Sequence, residues 1–190
     1  MKVRESGMPE QSQWEGYFDP PTILAKLGVS ANDSELVDFG SGYGTFTLAA
    51  AKLIAGTVFA LDIEPAILRA AEARAKNVGL ANIEFISRDF IADGSGLADG
   101  LADYAMLFNI LHTAHPVALL REARRNVKPS GKVGVIHWNY DAETPRGPPM
   151  AMRPRPSDCK RWAQVAGFIC GPEIDLPPYH YGFVLARARA

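Results

Sequence analysis

Val37-Asp38-Phe39-Gly40-Ser41-Gly42-Tyr43-Gly44 reads as a short apolar strand running into three closely spaced glycines, and Thr45 to Ile54 follows as an alanine-rich helix. Glycines between a strand and a helix let the backbone turn tightly and come near a ligand where a Cβ would intrude. A glycine loop alone is weak evidence, because an ordinary strand-to-helix turn has the same composition. Its meaning is decided by the segments around it.

Those segments alternate. Thr57 to Leu61 reads as a second strand, and a helix opens at Pro65 and stops before Gly79, with Glu72 and Lys76 spaced for an i,i+4 pair. Ile83 to Ser87 reads as a third strand, and Asp103 to Phe108 as a fourth, apolar enough to be buried on both faces. Pro116 opens a helix that ends near Val127 with Arg124, Arg125 and Lys128 at its negative pole. A Pro129-Ser130-Gly131 turn then leads into a fifth strand, Val133 to Trp138. Strands alternating with helices predict a parallel sheet with crossover helices.

The prolines at 145, 148, 149, 154 and 156 predict a long loop from Asn139 to Pro156, a candidate wall of a substrate pocket. Ser157 is placed to cap a helix reaching Ala166, and Phe168 to Ile174 with Tyr181 to Ala186 read as a closing strand pair.

The chain has 190 residues, 47% hydrophobic and 22% charged, which suits one globular domain. A net charge of −1, with both signs interspersed, argues against general nucleic-acid binding. No apolar run approaches the roughly 18 residues of a membrane span or resembles a signal peptide, so no membrane insertion is expected. The two cysteines, Cys159 and Cys170, form no Cys-x-x-Cys pair, and a cytoplasmic location is expected.

Three aspartates give the glycine loop its meaning. Asp38 lies at the end of the first strand, where a carboxylate needs a cation or a donor. Asp62 ends the second strand about 20 residues past Gly42, where an acid accepts from both ribose hydroxyls of a nucleoside. Asp89, in Ser87-Arg88-Asp89-Phe90, follows the third strand and is placed to accept from an adenine amino group. Each alone is an ordinary loop cap or surface charge. In register at three successive strand ends, they favour an adenosine-type ligand.

With these motifs the sequence resembles the class I S-adenosylmethionine-dependent methyltransferases, particularly the branch that includes quinone-biosynthesis methyltransferases. The resemblance spans about Leu36 to Trp138. Asp38-x-Gly40-x-Gly42-x-Gly44 is similar to the family's first motif, Leu61-Asp62-Ile63 to its ribose-binding acid and Ser87-Arg88-Asp89-Phe90 to its adenine-side motif. Asp103 to His112 is similar to its fourth-strand segment, and Val127 to Lys132 to the turn before its fifth strand. The resemblance implies a doubly wound, Rossmann-like α/β fold whose seven-stranded sheet is mostly parallel with an antiparallel last strand. It implies S-adenosyl-L-methionine as cofactor, bound by Asp38, Gly40, Ser41, Gly42, Tyr43, Gly44, Asp62, Ile63, Asp89, Phe90 and Asn109, with Asn109 bordering the methionine end and the substrate. A nicotinamide dinucleotide is the competing ligand. Its fingerprint wants a glycine or alanine about five positions after the first, and position 45 is Thr.

Residues 1–34 are expected to form a helical segment ahead of a cofactor-binding domain spanning 35–190. The aromatic residues Trp14, Tyr17 and Phe18 fit either a lid over the site, as the resemblance suggests, or burial against the sheet. His112 and His137 are candidate general bases for a protonated nucleophile, although an ordinary packed histidine fits each equally well. No cluster of ligands completes a metal site. Leu176-Pro177-Pro178-Tyr179 resembles the signature of amino-group DNA methyltransferases, but its place near the chain end reads as a turn. Arg146, Arg153, Arg155, Lys160 and Arg161 make the proline-rich region locally basic, suiting either an anionic substrate or a solvated face.

The activity expected is in-line transfer of a methyl group to an O, N, C or S atom of a small-molecule acceptor, because no added recognition domain is present. The alternatives are a protein or nucleic-acid methyltransferase and a cofactor-binding protein without catalysis.

Overall fold

A computed structural model describes residues 10–144 and 147–188. The parallel strands form because their side chains are apolar on both faces, as the helices on either side require. β1 (Glu35–Phe39), β2 (Thr57–Asp62), β3 (Ile83–Ser87), β4 (Ala102–Phe108) and β5 (Val127–Trp138) pair in parallel. β8 (His180–Arg187) runs antiparallel to β5 and carries the short strands β6 (Phe168–Cys170) and β7 (Ile174–Leu176) on its other edge. The order is β3-β2-β1-β4-β5-β8-β6, with β7 also on β8. The expected fold is therefore present, with the antiparallel element where the resemblance placed it. The count rises to eight because the strand expected from Phe168 to Ile174 is broken at Gly171-Pro172-Glu173 into two pieces lying end to end along β8.

Alternation along each strand sorts the core into two layers. Leu36, Val58, Tyr104, Met106, Phe108 and Ile136 face α2 (Pro20–Lys26) and α3 (Thr45–Leu53). Val37, Phe39, Leu61, Ala105, Leu107, Val133 and Val135 face α5 (Pro116–Asn126) and α6 (Pro156–Val165). α4 (Pro65–Asn77) joins β2 to β3 and carries the expected Lys76–Glu72 pair at 2.8 Å. A short helix, α1 (Gln11–Glu15), precedes α2.

Three local expectations change. The Pro129-Ser130-Gly131 turn lies inside β5, where the pairing jumps from Ala102↔Val127 to Tyr104↔Lys132. A bulge takes up the extra residues, and the proline needs no ladder donor there. Ser157 does not cap α6. Pro156 already holds its first position, and the Arg155 amide donates to Asp158 Oδ2 at 3.2 Å. The Asn139 to Pro156 segment contains a 3-10 turn at Met150–Met152 and is stapled by Arg153, whose guanidinium donates to the Pro148, Asn139 and Asp141 carbonyls. Nearby, Arg161 pairs with Asp158, Lys160 with Glu173, and the Arg155 guanidinium lies 4.3 Å from the Tyr140 ring centre. These cations brace the region rather than forming an open anion patch. Arg146 lies outside the described residues. The Pro177-Pro178 segment is the expected turn, joining β7 to β8.

Tyr104 ties the layers together. Its hydroxyl, buried under α2, donates to the Leu27 carbonyl at 2.8 Å. Tyr104→Phe leaves that carbonyl without its donor and is expected to cost about 1–3 kcal/mol, read as a lowering of the thermal midpoint by several degrees.

Candidate active site

The strand order reverses between β1 and β4, which opens a crevice outside their carboxyl ends. The glycine turn lies there. Gly40 and Ser41 both donate their amides to the Leu61 carbonyl, at 2.8 and 2.9 Å, which fastens the turn to β2. Gly40 and Gly44 hold φ of +74° and +77°, conformations that favour glycine. Their missing side chains leave room for protein. A Cβ at Gly40 would stand 2.4 Å from Ile110 Cδ1, and one at Gly44 would meet Leu48 Cδ1 at 2.7 Å and Ala71 Cβ at 3.2 Å. These two glycines thus serve close packing of β4's exit loop and of α3 on α4.

Asp38 is 2% exposed, and its Oδ2 accepts from Thr47 Oγ1 at 2.5 Å. Burial pushes its carboxyl up to about 7, the Thr47 hydrogen bond opposes this, and the charge of Asp62 adds to it. Asp62 is also buried. It accepts from the Gly42 amide at 2.9 Å and the Glu64 amide at 3.0 Å. Its carboxyl is raised by burial, with both amides opposing. Ile63, half-buried, lies between these two contacts. Asp89 stands two residues past β3, and its Oδ1 accepts from the Ala92 amide at 3.0 Å, capping its own turn. Phe90 is buried edge-on against Phe39 at 5.4 Å, with its ring tip near Gly40. Tyr43 offers its carbonyl to Arg74, which also pairs with Glu15 of α1.

Several buried polar atoms near the turn have no hydrogen-bond partner among the described residues: Ser41 Oγ, Thr45 Oγ1, and both Oδ1 and Nδ2 of Asn109. Asn109 holds φ +57°, and its amide donates to the Ile136 carbonyl at 2.8 Å. A non-glycine residue in that region beside unmet polar groups marks a place where a ligand completes the structure. The donor set fits a nucleoside bearing an amino acid.

The histidines separate. His137 is 1% exposed, and its Nε2 accepts from the Leu111 amide at 3.1 Å. Burial holds it well below the usual range, and its acceptor nitrogen is committed, so it braces the loop after β4 rather than taking a substrate proton. His112 is half-buried, 6.0 Å from His137 between ring centres, and lowered by burial. Among the described residues no group of three His, Cys, Asp or Glu could hold a metal.

The N-terminal aromatics pack against the sheet and α3. Tyr17 meets Trp138 edge-on at 5.3 Å, and Phe18 meets Phe46 at 5.2 Å, over the carboxyl ends of β4 and β5. Sequence reasoning missed Thr47 and His180. Thr47 follows the glycines by one helical step and so reaches back to Asp38, a spacing that was available. His180 carried no signal, because its neighbours are distant in the chain.

A doubly wound sheet with this reversal, buried strand-end acids and an antiparallel last strand matches the fold that the class I methyltransferase resemblance implies. A family model described as a methyltransferase domain matches residues 30–176, and the chain belongs to that family. By family it is a methyltransferase domain, and its fold is the one seen in S-adenosylmethionine-dependent methyltransferases of known structure. A ribosomal protein L11 methyltransferase of Methylococcus capsulatus is 36% identical over 132 residues, covering 65% of this chain and 42% of that protein. Its counterpart in Dechloromonas aromatica is 32% identical over 129 residues, covering 64% and 40%. The chain thus spans about two fifths of the length of these curated relatives. The crystal structure of a SAM dependent methyltransferase from Aquifex aeolicus superposes with a TM-score of 0.83 at 23% identity, covering 93% of each chain.

Proposed function

We propose that the protein transfers the methyl group of S-adenosylmethionine to a nucleophile on a protein, at the crevice between the ends of β1 and β4. The observation that carries the cofactor assignment is the buried pair Asp38 and Asp62 flanking a glycine turn whose neighbours Ser41, Thr45 and Asn109 keep unmet polar atoms. In this reading Asp62 takes the ribose, Asp89 and Phe90 flank the adenine, and Asp38, the glycine turn with Tyr43, and Asn109 surround the methionine end. Ile63 packs beside the nucleoside. Bound S-adenosylmethionine supplies an activated methyl carbon on a sulfonium. The chain has to hold the nucleophile in line and exclude water, and the closely packed N-terminal aromatics suit that task.

The protein acceptor is supported by the names of the two curated relatives. It replaces the small-molecule acceptor as the leading reading. The small molecule stays as a second reading because Tyr17 and Phe18 pack closely against Trp138 and Phe46 near the strand ends, which suits a compact acceptor. In either case residues 10–34 are the part of the chain proposed to act as the lid. No helix among the described residues is long and apolar enough to cross a membrane. Two free cysteines and a protein acceptor fit a cytoplasmic enzyme.

Incubation with methyl-labelled S-adenosylmethionine separates the readings. Label is expected in purified ribosomal protein, L11 first. Label confined to a metabolite extract would overturn the protein acceptor, and cofactor binding without any transfer would overturn catalysis.

A further inference from the structure

Beneath the N-terminal segment lies a polar side chain that none of these roles uses. His180 opens β8 opposite Trp138, has no solvent exposure, and neither of its ring nitrogens has a hydrogen-bond partner among the described residues. Buried imidazoles are normally satisfied, so two unmet nitrogens call for an explanation. The ring is held between Trp138, at 4.3 Å between centres, and Phe18, at 4.5 Å and 35° between planes.

Phe18 belongs to the covering segment, not to the sheet. Its other side meets Phe46, which meets Phe108 at 4.7 Å, the residue just before Asn109. The register places His180 on the same sheet face: Phe108 pairs with Ile136, Ile136 with Gly182, and Trp138 with His180. The Phe18 ring therefore takes the space next to an unsatisfied imidazole and, through Phe46, near the carboxyl end of β4.

We propose that Phe18 occupies the slot of the methyl acceptor's own ring, and that the acceptor carries an aromatic hydroxyl which hydrogen-bonds to His180. The inference rests on the methyl-transfer reading and deepens it by naming the acceptor group, whether a protein or a small molecule bears that group. A neutral imidazole has one N–H and one lone pair, matching a hydroxyl that both gives and accepts. Burial, with the positive charge of Arg153, takes His180 down to about 3, so it is neutral in the physiological range. Arg153 also stands 5.8 Å from the Trp138 ring centre, which disfavours a cationic amine in the slot and favours oxygen. Opening requires the covering segment to swing out, and the Glu15–Arg74 pair at its base is partly exposed.

Phenol titrated into the full chain labelled with 15N-histidine tests the proposal, with S-adenosylhomocysteine affinity measured on the same samples. Phenol is expected to move the His180 ring resonances, to bind Phe18→Ala at least fivefold more tightly than the parent, and to bind His180→Phe at least tenfold more weakly. Phe18→Leu serves as a second opening variant should Phe18→Ala unfold. Benzylamine is expected to leave the His180 signals in place. Unmoved His180 signals, unchanged phenol affinity in His180→Phe, or benzylamine binding where phenol does not would each overturn the proposal. Failure of the parent to bind S-adenosylhomocysteine would instead strike the methyl-transfer reading and leave the phenol result to be judged separately.

Discussion

Asp62→Ala is expected to weaken binding of S-adenosylhomocysteine about 100-fold, equivalent to about 2.7 kcal/mol. The carboxylate does two things at once. It closes the end of β2 by accepting from the Gly42 and Glu64 amides, and in the proposed complex it also accepts from the ribose. Hydrogen bonds to a charged acceptor contribute about 1.5–3 kcal/mol each, so the substitution loosens the turn and removes the proposed ribose contact together. Calorimetric titration with S-adenosylhomocysteine reads the affinity, and thermal unfolding without ligand reads the loosening. Asp62→Asn keeps the shape but directs an amide N–H toward one of the two backbone donors, so it should also bind weakly. Normal affinity in Asp62→Ala would remove the ribose assignment.

The place of Asp62, at the end of β2 beside the glycine turn, was legible in the sequence because its signal is local: an acid closing an apolar run, at a fixed interval from a glycine turn. The parallel core was legible for the same reason, since β4 is buried along nearly its whole length and reads as a nearly continuous apolar run. What escaped depends on contacts between distant parts of the chain. The β5 bulge is set by where β4 begins, so Pro129 looks like a turn until its partner strand is known. Gly40 and Gly44 signal tight backbone, but only the packed fold shows that Ile110, Leu48 and Ala71 take the space. His137 and His180 look alike in sequence, each beside an aromatic residue near a strand end. A single backbone amide, that of Leu111, satisfies one of them and leaves the other unmet.

Binding of S-adenosylmethionine is expected to strengthen about 25-fold as pH rises from about 5.5 to 7.5, with a proton released on binding at the lower end. The reason is Asp38. Its carboxyl has almost no contact with water and, among the described residues, accepts from Thr47, so burial holds it protonated up to about 7. An unfolded chain ionises the same group near 3.8, so the native state binds more protons between these values. Stability contributed by this group is therefore greatest below about 4 and falls as pH rises to about 7, the reverse of a carboxylate held by a cation. A cationic ligand beside Asp38 favours the ionised form and pulls the titration back down. Its apparent affinity then rises until Asp38 is ionised without it, which gives the 25-fold figure from a value of about 7. Asp62, raised in the same direction, can only steepen the trend. Calorimetry in buffers of different ionisation enthalpy measures the released proton directly. Asp38→Asn keeps an oxygen to accept from Thr47 and should flatten the profile while weakening binding at pH 7.5. A profile equally steep in Asp38→Asn would move the titration to another group and detach Asp38 from the cation.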